Sequence, residues 1–524
     1  MEYKNLDSLS SFKDLENLNP YNVKSNINKK RIDSYKVSEG AGLTYSYATM
    51  PVDETHLKAF QDLADECSVI EKYKTLLNGE RINTGEDRLV LHQLTRGQIL
   101  NDVISDGENK GEFYKLQLDR IQAFSESVRT GKIVGSTGKP FKKVVQIGIG
   151  GSDLGPRALY LALRGYCLGQ GKDVIEADFI SNVDPDDVAN VTRDLNFEET
   201  LFVLVSKSGT TQETLTNRDL VLQALKNTNI KGFNSKKHMI AVTSKTSPLA
   251  NSPDVLDAFF IDDYIGGRYS STSAVGGVIL SIAFGFDVFN EVLEGAHEVD
   301  KLALNENILE NPSLLDALIG VYLRNTLGLG TTAVLPYAQA LSRFPAHLQQ
   351  LDMESNGKSV NRNNERVTYK TGPVIFGEPG TNGQHSFYQL LHQGTDTIPL
   401  QFIGFKKSQF EKDIITDGST SQAKLNANLS AQIVAFALGK NDENPNKVFA
   451  GNRYSSLLSA QQLTPAVLGA LLAHFENKVM FQGFIWNINS FDQEGVQLGK
   501  LLAKKVLRGC DGDEILLAYS DMLK

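Results

Sequence analysis

The feature that most restricts this chain is a recurring alternation of short apolar runs with helical stretches. KKVVQIGI (142–149), VIEADFI (174–180), LFVLVS (201–206), MIAVTS (239–244) and DAFFID (257–262) each read as a strand, and helical stretches separate them. Such a pattern predicts an α/β fold with a parallel sheet covered by helices on both faces, because each crossover returns the chain to the same edge. After a helical region over 271–328 the rhythm restarts with TAVLPY (332–337), VIFG (374–377) and TIPLQFIGF (397–405). Two α/β units of related design follow, on rhythm alone, since no residue-level repeat and no Pro-, Gly- or Ser-rich linker marks the halves.

A chain of 524 residues is too long for one growing core. Its net charge of −9 argues against a broad basic face for nucleic acid, so an anionic ligand must be held locally. Three scattered cysteines, Cys67, Cys167 and Cys510, form no CxxC pair and suggest neither a disulfide framework nor a thiolate metal site. The polar N-terminus lacks the apolar core of a secretory signal, and the uncharged stretch 269–286 is apolar only in its second half, reading as a buried helix. A cytoplasmic location with no membrane span is expected. Residues 1–110 look mostly helical and solvated, with KSNINKKRIDSYK (24–36) on the surface, while the end from 464 reads as helices folding back on the body, with one aromatic-rich break.

Six segments carry chemistry. GIGGSDLGP (148–156) joins a strand to a helix, but Asp153 stands where a dinucleotide fingerprint needs its third glycine. The turn is either a tight βα connection or a backbone cradle for a polar ligand, with Gly151 and Ser152 at its centre. Gly357-Lys358-Ser359 ends like a P-loop, yet Asp352 occupies the place of its first glycine. SKSGTTQET (206–214) sets five hydroxyls within nine residues between a strand and a helix, where free N–H groups and hydroxyls converge on a phosphate. A helix cap needs only one of them. GGRYSS (266–271) presents Arg268, either a surface cation or a fixed guanidinium facing developing negative charge.

In LQQLDMESNGKSV (348–360), Gln350 and Glu354 share one face if the stretch is helical, so Glu354 is either a solvated helix end or a general base. GEPGTNGQHSFYQLLHQGT (377–395) carries His385 at a helix start and His392 among leucines; no acidic partner at ligand spacing accompanies them, so no metal site is expected. In NSFDQEGVQLGK (489–500), Gln493 and Lys500 lie seven apart, two turns of one helix, with Leu498, Leu501 and Leu502 marking a packed side.

Taken together and in this order, these segments resemble the glucose-6-phosphate isomerase family, and the resemblance runs over about residues 80–505, beginning at INTGEDRLVLHQLTR. It implies two doubly wound sugar isomerase (SIS) domains of unequal size with helical extensions: a larger one of 1–112 and 286–524, and a smaller one of 113–285. It also implies a homodimer with shared active sites, a sugar-phosphate substrate and no cofactor. Ser206, Lys207 through its backbone, Ser208, Thr211 and Thr214 would hold the phosphate, with Gly151, Ser152, Gln350 and Gln493 on the sugar. Glu354 matches the base that moves a proton between C1 and C2, and Arg268 the group facing the enediolate. His385, from the partner subunit, and Lys500 match the groups that open the ring. Gln497 and Tyr269 depart from the family's usual Glu and Phe. A sugar-phosphate sensor on the same scaffold would need only the phosphate turn, and an amidotransferase-type aminosugar isomerase would need an N-terminal cysteine that this chain lacks.

Overall fold

The computed structural model describes residues 2–524. Its two large sheets are numbered here in chain order. The first contains β3 (Lys143–Ile147), β4 (Glu176–Ile180), β5 (Thr200–Val205), β6 (Met239–Thr243) and β7 (Ala258–Phe260), all parallel, in the order β4-β3-β5-β6-β7. Every residue of β5 and β6 is buried, as continuous apolar runs in a parallel sheet require. From β3 the chain steps outward to β4 and then back across β3 to β5. The direction of winding therefore reverses between β3 and β5, and a crevice opens at their carboxyl ends.

The second sheet holds β1 (Lys36–Ser38), β2 (Thr44–Thr49), β8 (Thr331–Pro336), β9 (Val374–Phe376), β10 (Leu400–Phe405) and β11 (Ser455–Ala460), in the order β1-β2-β11-β10-β8-β9. Four of these strands are parallel, the three that the rhythm predicts and β11, which it does not, while β1 and β2 run antiparallel at one edge. Residues 1–110 do carry the expected helices, but their solvated reading is corrected here. Tyr45 and Tyr47 of β2 are buried, and Arg31, inside the supposed surface stretch, is buried too. Its guanidinium donates to the carbonyls of Ala48 (2.7 Å), Met50 (3.1 Å) and Val52 (2.6 Å), pinning the chain that leaves β2.

A helix that is apolar nearly all round, Pro465–Ile485, runs through the core and is buried almost throughout. It crosses the helix Phe286–Leu302 so closely that a side chain on Gly295 or Gly469 would strike the backbone of Ala466 or Val292. Its three ionisable side chains are all paired. Glu476 pairs with buried Arg96, which also binds Asp300 at 2.9 Å. His474 contacts Glu39 through Nδ1 (3.0 Å) and Asp316 through Nε2 (3.2 Å), and Lys478 meets Asp316 at 2.8 Å.

Beyond this helix the last two, Gln497–Leu507 and Glu514–Asp521, do not fold back onto the body of their own chain: Leu498, Leu501, Leu507 and Ile515 are exposed. The packed side expected there is absent from the single subunit. No helix among the described residues is long and apolar enough to cross a membrane.

Burial opposes a charge on His474, yet Glu39 and Asp316 outweigh it and raise its value from 6.5 to about 9. A folded value above the unfolded one means that the contribution to stability is complete below pH 6.5 and disappears as pH climbs through about 9. The urea midpoint should fall across that window. His474→Gln should flatten the fall; an unchanged slope would place its origin elsewhere.

Candidate active site

The carboxyl ends of β3 and β5 carry the two turns singled out from the sequence. After β3, Gly150 adopts a left-handed φ of 62°, and the helix Leu154–Gly169 begins two residues before Pro156. Asp153 does not face a ligand; its carboxylate pairs with Arg157 at 2.8 Å. Gly151 lies against the backbone of Gly267, so closely that any side chain there would displace it. The turn is thus a close approach between two loops, and its neighbour Ser152 is half-buried beside it.

After β5 the chain turns at Gly209 (φ 68°) into the helix Gln212–Asn227. Thr211 occupies the cap position, but its side chain does not cap the helix; Oγ1 instead meets Ser206 Oγ at 3.0 Å. Ser208 Oγ accepts from Thr210 N (3.2 Å) and Thr210 Oγ1 (3.0 Å). Thr214 is buried, and its Oγ1 has no partner among the described residues. The capping alternative is therefore set aside. Hydroxyls converge on an uncapped helix start, whose N–H groups and positive end suit an anion. Burial lowers the Lys207 ammonium from its ordinary value, and Nζ donates to Ile265 O at 3.1 Å, just before the Gly266-Gly267-Arg268 loop.

Arg268 is buried, not a surface cation. Nε donates to Ser355 Oγ (2.7 Å), Nη1 to Gln493 Oε1 (3.2 Å), and Nη2 to the carbonyls of Ser490 (2.7 Å) and Asp492 (2.9 Å). Nη1 also stands 3.4 Å from the Glu354 carboxylate. Tyr269 joins the same group, its hydroxyl 2.9 Å from Ser355 Oγ, so the departure from Phe adds a polar tie.

Gln350 and Glu354 lie on a π-helical turn, Gln349–Glu354, that continues the helix Phe344–Leu348. With more than four residues per turn, this winding stacks positions four apart more directly than an α-helix does, and such turns recur at functional sites. Both side chains line a cleft of about 890 Å³ that Gln493, Lys358, Asp492, Thr84 and Gly85 also border. A side chain on Gly150 would stand 3.4 Å from Gln350 Nε2, which connects the first turn to this cleft.

Two expected members stand apart. His385 ends a five-residue helix, Gly380–Gln384, with its ring in solvent, and Lys500 is exposed on the helix Gln497–Leu507. Gln493 and Lys500 do not share a helical face. Gln493 precedes a short 3₁₀ turn, Glu494–Val496, and the α-helix starts only at Gln497. Just ahead of Gln493, Arg268 holds the carbonyls of Ser490 and Asp492. His392 is packed, stacked on Phe436 with ring centroids 3.8 Å apart and bonded to Gln432. Among the described residues no three His, Cys, Asp or Glu side chains gather in a way that could hold a metal ion.

Lys358 and Ser355 border this site without having been singled out as members of it. Lys358 follows Glu354 by four residues, and that spacing was the available signal.

The sequence model of the phosphoglucose isomerase family matches residues 46–521. The chain belongs to that family. It is 62% identical to a glucose-6-phosphate isomerase of Treponema denticola over a 532-residue alignment covering 100% of both chains. It is 54% identical to one of Treponema pallidum, covering 100% of this chain and 98% of the relative. The crystal structure of a glucose-6-phosphate isomerase from Chlamydia trachomatis superposes with a TM-score of 0.92 at 42% identity, covering 99% of each chain. This phosphoglucose isomerase family member is therefore an α/β protein built like its relatives along its whole length.

Thr214 offers a direct test of the anion cradle. Thr214→Val keeps the shape and removes the unpartnered hydroxyl, so inorganic phosphate should bind roughly ten- to a hundredfold more weakly, the worth of a hydrogen bond to a charged group. The unfolding midpoint should hold or rise. Unchanged phosphate affinity would show that this hydroxyl faces no anion.

Proposed function

We propose that this protein interconverts glucose 6-phosphate and fructose 6-phosphate, an isomerase step serving glycolysis and gluconeogenesis. The observation that carries the reading is the buried Arg268 guanidinium 3.4 Å from the carboxylate of Glu354, which lines the cleft.

Ser206, Ser208, Thr211 and Thr214, with the backbone at Lys207 and the helix start, anchor the phosphate. Gly151, Ser152, Gln350 and Gln493 take the sugar hydroxyls. Glu354 removes the C2 proton of the open-chain aldose and returns it to C1, passing through a cis-enediolate. Arg268 stabilises the negative charge as it develops. No metal or nucleotide is required, because a fixed guanidinium supplies the positive charge.

Ring opening needs an acid and a base, assigned to His385 of the partner subunit and to Lys500. The exposure of both residues, and of Leu498, Leu501 and Ile515 on the terminal helices, supports a homodimer whose second subunit completes each site. The strands of the first sheet lie within 143–260, which supports a smaller domain at 113–285 packed on a larger one of 1–112 and 286–524. The same reading locates the protein in the cytoplasm, with its doubly charged substrates.

Purified protein should isomerise glucose 6-phosphate with chelator present. Glu354→Gln should bind sugar phosphate normally while kcat falls by a factor of about 10² to 10⁴. Turnover close to that of the unaltered protein would remove Glu354 as the base.

A further inference from the structure

The pair formed by Lys358 and Asp492 lies in the cleft, and the steps above give it no task. Lys358 Nζ donates to Asp492 Oδ1 (2.8 Å), to Asp492 O (2.9 Å) and to the carbonyl of Glu354 (3.1 Å). Asp492 Oδ2 accepts from Asn489 Nδ2 (2.6 Å), which also reaches Asn83 Oδ1 (2.9 Å). Asp492 O accepts from Arg268 Nη2 as well. Gly85 completes the enclosure, since a side chain there would collide with the Asp492 carboxylate. One ion pair thus joins the turn bearing Glu354, the segment bearing Gln493 and the loop 83–85.

The charges near Glu354 are Arg268 at 3.4 Å, Lys358 and Asp492, with Arg362 and Glu494 in the cleft wall. Asp352 lies buried on the same turn, where burial pushes it up to about 7. Burial pulls the Lys358 ammonium down from its ordinary value, against the pull of Asp492. Around the proton-transfer position, the two cations Arg268 and Lys358 offset the two carboxylates Glu354 and Asp492. Both members of the pair are only 16% exposed, so solvent screens this balance weakly.

We propose that Lys358 and Asp492 are a charge-balanced positioning pair, holding the Glu354 turn against the Gln493 segment and setting how readily the Glu354 carboxylate takes up a proton. The inference rests on Glu354 being the base. Removing the Asp492 charge leaves an excess of positive charge, which favours the carboxylate. Removing the Lys358 charge leaves an excess of negative charge, which favours the protonated acid. A purely structural pair would give no such opposition.

The test is kcat/KM against pH for the full-length protein and for Lys358→Met, Asp492→Asn and the double variant. The acid limb should move up by about one pH unit in Lys358→Met and down by a similar amount in Asp492→Asn, and the double variant should return close to the starting limb. Limbs that stay in place, or both single variants moving in one direction, overturn the proposal. Where Lys358→Met does not fold, Lys358→Arg keeps the charge and should keep the limb while kcat falls, and Asp492→Asn must still move it. Absence of isomerisation by the unaltered protein would sink the proposed function itself; an active unaltered protein with unshifted variants sinks only the pair.

Discussion

A buried guanidinium organises this molecule's cleft. Arg268 carries five N–H donors that water cannot reach, and each must find an acceptor or cost stability. The acceptors come from two separated stretches: Glu354 with Ser355, and Ser490 with Asp492 and Gln493. Satisfying one side chain therefore draws together the turn after the helix Phe344–Leu348 and the chain that leaves the helix Pro465–Ile485. The same bonds hold residues 490–493 of the departing chain against that turn, and the position of Gln493 in the cleft follows from this.

The two βα turns depend on sheet topology. The reversal between β3 and β5 places two βα turns side by side, and each contributes what its residues allow. The first has glycines that let a neighbouring loop approach; the second has hydroxyls ahead of an uncapped helix. Lys207, bonded to Ile265 just ahead of Arg268, connects the hydroxyl-rich turn to the guanidinium loop.

Several elements were not legible in the chain. β1, β2 and β11 escaped notice because KVS, TYSYAT and SSLLSA are short and mixed in polarity, and because β2 pairs with a strand some four hundred residues away. Arg31 looked like a surface charge because nothing local shows that three carbonyls close around it. The helical spacing expected of Gln493 and Lys500 failed because a 3₁₀ turn at Glu494–Val496 intervenes and the α-helix starts only at Gln497. The π-helical winding at Gln349–Glu354 likewise has no local marker, although the sharing of a face by Gln350 and Glu354 did not depend on it.

Periodicity determined the eight central strands, the α/β class and the presence of two units, since apolar runs that alternate with helices leave few ways to pack. Motif order was enough to identify the family and the residues worth testing. Tertiary structure decided which of those residues meet. Glu354, Gln350 and Gln493 line one cleft with Arg268 buried against two of them, whereas His385 and Lys500 stay outside it in a single chain. Local sequence specifies a residue's chemistry and its neighbours along the backbone. Burial, and the partners that burial obliges a charged group to find, come from segments hundreds of residues away and exist only once the chain has folded.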